Sequence, residues 1–150
     1  MIQWNEEITI EANIEKVWDL FRDRNIKKIM PKVEEHELID GKETEAGAKH
    51  RQKYREGKRV ETYIVDTLAY EDLADRKLKT IAFTLGKAFE ITLTFTLIML
   101  DDKRTRFIYS GQNKGVNFVG RAMLKLGGQK SNLAVVHEFL KKVEQEVLKI

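Results

Sequence analysis

The amphipathic pattern from Val116 to Ile150 constrains the fold more than any other part of the chain. Apolar residues recur at Val116, Val119, Met123, Leu126, Leu133, Val136, Leu140, Val143, Val147 and Ile150. The steps alternate between three and four with one beat missing, as in a helix with one buried stripe. Unbroken, such a helix runs on the order of 50 Å at 1.5 Å per residue. In a chain of 150 residues it must lie across most of a sheet, and residues 45 to 112 supply that sheet. Gly127-Gly128 sits inside the pattern. Each glycine costs a helix interior roughly 1 kcal/mol relative to alanine. Either a bend or a close approach of the backbone to the sheet or a ligand would offset that cost, and the pair predicts one helix with a kink rather than two helices and a loop.

Before the helix the period is mostly two. Residues 2 to 11 read as a strand, with Trp4, Ile8 and Ile10 on one parity. Asn13 is placed to cap a short helix whose face is Val17, Leu20 and Phe21. A second short helix is expected from Asn25 to Met30, stopped by Pro31, the only proline. Strands follow over 33–40, 48–55, 59–67, 76–85, 88–100 and 104–110, with a turn expected at Glu71-Asp72. Residues 88–100 alternate most cleanly: Phe89, Ile91, Leu93, Phe95, Leu97 and Met99 against Glu90, Thr92, Thr94 and Thr96. One face is buried and one is wet, and hairpin-length links make the sheet antiparallel. The expected class is α+β. A curved sheet of about six or seven strands wraps on the long helix, with two short helices after the first strand.

Composition narrows the function classes. Apolar residues are 42% and charged residues 34%, which suits one folded domain over residues 1–150. Twenty-seven basic and 24 acidic residues leave a net charge of only +3, too balanced to imply nucleic acid as a partner. There is no cysteine, so disulfides and thiolate metal sites are excluded. The N-terminal residues have no apolar secretory core, and no run reaches the roughly 18 apolar residues of a membrane span. A cytoplasmic protein with no stable membrane insertion is expected; its oligomeric state is not encoded in any visible pattern.

The stretch Ile10-Glu11-Ala12-Asn13-Ile14-Glu15-Lys16-Val17-Trp18-Asp19-Leu20-Phe21, the step Met30-Pro31-Lys32-Val33, and the closing helix resemble the START-like (SRPBCC, helix-grip) superfamily. The branch is that of polyketide cyclase/dehydrase and lipid-transport proteins. The resemblance implies a cavity between sheet and long helix that takes lipids, polyketides or other apolar molecules. It implies no cofactor and carries over no catalytic residue, because the superfamily shares no catalytic signature.

The residues themselves point the same way. If Lys49, Arg51, Lys53 and Arg55 face water, then His50, Gln52 and Tyr54 point inward, where polar groups need partners or a ligand. The basic row is expected to be neutralised by Glu35, Glu37 and Glu61 on adjacent strands. Trp18, Met30, Phe83, Phe95, Phe107, Tyr109, Phe118 and Met123 are expected to complete an apolar wall. His36, His50 and His137 lie on separate elements without HxH or HExxH spacing, so no metal site is expected. The expected function is enclosure of a hydrophobic small molecule. One alternative is a cyclase or dehydratase in the same cavity, with Tyr54 or Tyr109 beside His50 moving a proton. Another is a protein-interaction module on the outer sheet face.

Overall fold

The computed structural model describes residues 1–149 and, within them, every side chain except those at 126 and 127. β1 (Ile2–Ile10) leads into α1 (Ile14–Trp18), a 3₁₀ turn (Asp19–Phe21) and α2 (Ile26–Ile29). Then come β2 (Val33–Asp40), β3 (Lys49–Glu56), β4 (Arg59–Asp72), β5 (Arg76–Leu85), β6 (Phe89–Asp101) and β7 (Arg104–Gly115), and finally α3 (Phe118–Leu148). Local chemistry accounts for the breaks. The Asn13 side chain accepts from the Glu15 N–H and caps α1. Pro31 holds Met30 out of the helical region, at φ −128° and ψ 74°, so α2 stops there.

The seven strands form one antiparallel sheet in the order β1-β7-β6-β5-β4-β3-β2. β4 and β7 outrun the sequence-based bounds. Glu71 and Asp72, expected in a turn, pair with Leu78 and Lys77 inside the ladder. The reason is a bulge at Leu68, which is exposed and lets Tyr70 face inward again. Residues 111–115, expected to lead out of the sheet, continue β7 as far as the Phe89–Gly115 pair.

The core sits where β1, β6 and β7 meet α1, the 3₁₀ turn and the second half of α3. Phe107 and Phe95 are fully buried against Phe21, and Phe139 packs on both. Val136, Leu140, Val143 and Val147 form the buried stripe of α3. The first half of the helix departs from expectation. Gly128, at φ 72° and ψ 160°, is not helical and breaks the phase between the two runs. The side chain of Leu126, the burial of Gly127, and Ile150, expected on the stripe or at the kink, lie outside what is described.

Gly120 sets which way the first run faces. A β-carbon there would stand 2.2 Å from the Ala88 carbonyl oxygen in the β5–β6 turn. Only glycine permits that approach, so the inward line runs through Gly120. Val116, Phe118, Val119 and Met123 are consequently exposed. Gly120→Ala should cost about 1–3 kcal/mol through this overlap. Urea denaturation would read the loss. The Val116 amide, which donates to Ala88, should exchange faster in the variant.

Candidate functional site

α3 rests on β1 and β7 and does not cover the inner face of β3, β4 and β5. Along this face the polar residues become progressively buried. Near the β3–β4 turn, Tyr54, Tyr63 and Phe83 are half-buried, and Tyr63 stacks on Phe83 with ring centres 4.8 Å apart. Further along, His50, Gln52, Thr67 and Lys79 pass beneath the 3₁₀ turn and α2 and are buried. Between these layers is a cavity of about 20 Å³. Its walls are Phe21, Ile26, Met30, Val65, Ile81 and Phe95, and its polar groups are His36, His50, Gln52, Thr67 and Lys79.

That volume is the space of about one water molecule. The ligand-sized void expected from the sequence is therefore closed. The reason is aromatic filling: Phe21, Phe95, Phe107, Tyr109 and Phe139 pack on one another in the space under α3. Of the residues expected to line a site, Met30, His50, Gln52 and Phe95 do line the cavity. Tyr54 and Phe83 stand on the open part of the same face. Trp18, Phe107 and Tyr109 belong to the packed core instead. Phe118 and Met123, expected on the wall, are 80% and 53% exposed, a correction that follows from the Gly120 contact. Asp23, His36, Thr67 and Lys79 enter the site without having been anticipated.

Lys79 lies inside the sheet face and is 6% exposed. Its ammonium donates to the Phe21 carbonyl at 3.3 Å, and among the described residues no carboxylate lies within ion-pairing distance. Burial lowers its pKa from the ordinary 10.5, opposed by the more distant charges of Asp23 and Glu43. Lys77, two residues earlier on the same face, shows the contrast. It bonds Glu15 at 2.8 Å, Asp72, and the Leu73 carbonyl at 3.0 Å, so it is a satisfied structural cation.

A chain of side-chain contacts crosses the floor. Gln52 donates from Nε2 to the Tyr63 hydroxyl at 2.8 Å, and its Oε1 lies 2.7 Å from His36 Nδ1. Asp23 Oδ2 lies 2.8 Å from His50 Nε2, and Asp23 Oδ1 lies 3.4 Å from His36 Nε2. The two imidazoles stack with centres 4.2 Å apart. Burial resists ionisation of Asp23, but the two imidazoles beside it prevail and hold its carboxyl far below the usual range. His36 and His50, separate in sequence, thus meet on adjacent strands with a carboxylate between them.

Tyr54 and His50 do not form the acid–base pair that their chemistry suggested. They are four residues apart on one strand, ~13 Å at 3.3 Å per residue. Burial, with Glu56 nearby, pushes the Tyr54 hydroxyl up to about 12, and burial also raises Tyr109. On the outer face three residues of the basic row are paired: Arg51 with the expected Glu37 and Lys49 with Asp66 at 2.5 Å each, and Arg55 with Glu34, while the expected Glu61 pairs with Arg59 instead. No helix among the described residues is long and apolar enough to cross a membrane.

This grip of a sheet on a long helix, with short helices after the first strand, defines a helix-grip protein. The family model described as polyketide cyclase/dehydrase and lipid transport matches residues 1–147, and the chain belongs to that family. A conserved protein from Geobacillus kaustophilus superposes with a TM-score of 0.71 at 17% identity, over 99% of this chain and 96% of that one. The Zhui aromatase/cyclase from Streptomyces sp. R1128 gives 0.67 at 16%, over 97% and 94%. A norcoclaurine synthase from Thalictrum flavum, bound to a transition-state analogue, gives 0.67 at 13%, over 98% and 94%. At these identities the likeness is one of fold. No curated protein sequence matches the chain.

Proposed function

We propose that the protein binds a mostly apolar small molecule carrying one anionic or carbonyl oxygen, between the inner sheet face and the 3₁₀ turn and α2. Lys79 carries this reading. A buried ammonium held by one backbone carbonyl is costly unless something negative meets it, and cavities with few polar groups in apolar walls are built to orient ligands. The ligand's oxygen would take Lys79 Nζ, with His50 and Gln52 beside it. Its apolar part would extend along Ile81 and Phe95 toward Tyr63 and Phe83, where the face is open. Each ~100 Å² of apolar ligand surface removed from water contributes about 2.5 kcal/mol. Part of that must go into moving Met30 and the aromatic side chains, since the closed cavity holds only about 20 Å³. The family's description, which joins polyketide chemistry to lipid transport, supports the same ligand class.

Native mass spectrometry of protein purified from its own host tests the reading. The expected result is a 1:1 adduct of an apolar acid or ketone. Protein that carries no adduct and shows no thermal shift with a panel of fatty acids and aromatic acids would refute it.

A further inference from the structure

The floor of the cavity contains an arrangement of which ligand orientation uses only His50 and Gln52. Asp23 follows the 3₁₀ turn, His36 is on β2 and His50 on β3, and one ligand atom from each lies within 4.8 Å of the other two. Each ring is fixed from a different direction. The Gln52 amide donates to Tyr63, so its oxygen faces His36 Nδ1 at 2.7 Å and takes that N–H. In the neutral ring His36 Nε2 is then the nitrogen with the lone pair. It faces Asp23 Oδ1, also an acceptor, at 3.4 Å, and neither atom has a hydrogen bond. Two buried acceptors set face to face are unfavourable unless a cation stands between them.

We propose that Asp23, His36 and His50 hold one divalent transition-metal cation at the closed end of the pocket. Two imidazoles and a carboxylate suit zinc or iron(II) and leave at least one coordination position free. Metal–ligand bonds of 2.0–2.2 Å put tetrahedral neighbours about 3.3–3.6 Å apart. The Asp23–His36 separation, 3.4 Å, falls in that range, while the hydrogen-bonded Asp23–His50 pair, at 2.8 Å, must part as the ion enters. Coordination would replace the proton now shared by His50 Nε2 and Asp23 Oδ2, so one proton leaves as the ion enters. The ion must also lie in the plane of each ring, so one of the stacked imidazoles turns to meet it. Gln52 is the outer partner that sets the His36 tautomer, the usual role of a group hydrogen-bonded to a metal-binding histidine. His36 and His50 both line the cavity that also holds Thr67 and Lys79, so a bound ion would share the ligand's compartment.

Zn²⁺ and Co²⁺ are the probes. Equilibrium dialysis of the full chain with Zn²⁺ should give one ion per chain. His36→Gln and Asp23→Asn should weaken binding at least ~100-fold, and Gln52→Ala by 10–100-fold. His137→Ala, an exposed histidine near Glu6, should change nothing. Wild-type protein saturated with Co²⁺ should show the strong visible bands of four- or five-coordinate cobalt, a readout that needs no variant. Absence of those bands overturns the proposal. So does Zn²⁺ binding that survives in His36→Gln and Asp23→Asn shown by circular dichroism to be folded. In either case the cluster is a carboxylate shared by two histidines, with His36 carrying the second proton.

Discussion

Lys79→Met should make the protein more stable and a worse binder. In the folded state the ammonium has left water for one carbonyl at 3.3 Å, with no carboxylate of the described residues in ion-pairing distance. An apolar side chain of similar length removes that cost, and replacing buried charge in this way is worth about 1–3 kcal/mol. At this chain length the unfolding midpoint should rise by roughly 2–4 °C per kcal/mol. The pH dependence identifies the cause. Burial lowers the folded-state pKa of Lys79 below 10.5, so between those values the unfolded chain binds the extra proton. Wild-type stability therefore gains with rising pH through that alkaline window, and at lower pH the full penalty applies. Lys79→Met should lose this upward slope while gaining at neutral pH. The adduct seen by native mass spectrometry should bind 10- to 100-fold more weakly, the loss of one charge-assisted hydrogen bond. A variant less stable than wild type, with ligand retained, would remove Lys79 from both roles.

The second large effect is in the packed part of the interior. Phe107 has no exposure and contacts Phe21 and Phe139, so it joins β7 to the 3₁₀ turn and to α3. Phe107→Ala should cost 3–5 kcal/mol, the usual range for deleting a buried phenyl ring. That is a large share of the 5–15 kcal/mol that holds a typical domain together. Phe118→Ala is the matched control. It removes the same group from a site 80% exposed and should stay within about 0.5 kcal/mol of wild type. Paired urea titrations would test both.

Alternation made much of the sheet legible. β6 needed no other information, because Leu93, Phe95 and Leu97 are buried on the parity that the sequence displays. The inward turn of His50 and Gln52 followed from the basic residues between them. Lys79 was within reach of the same argument. It shares its parity with Ile81 and Phe83, and only the habit of placing lysine in water hides it. His36 and His50 were not within reach. Their meeting depends on the His36–Gln52 register, and a long 41–48 connection does not fix register as a two-residue turn does. Asp23 comes from a loop whose path is set by distant packing. The first half of α3 misled for another reason. Periodicity gives the width of an apolar stripe, but the contact of Gly120 with Ala88 decides which side faces in.

The strand order bears on how the molecule is made. β1 precedes the other six strands in the chain, yet its neighbour in the sheet is β7, and Ile2 pairs with Asn113. On a ribosome β1 must wait, unpaired, while nearly the whole meander emerges. Closing so distant a contact is entropically slow, which favours a late docking step for β1. Until then both β7 and the apolar side of β1 present open edges to other chains, and the newborn protein is most vulnerable to aggregation just before its last contacts form.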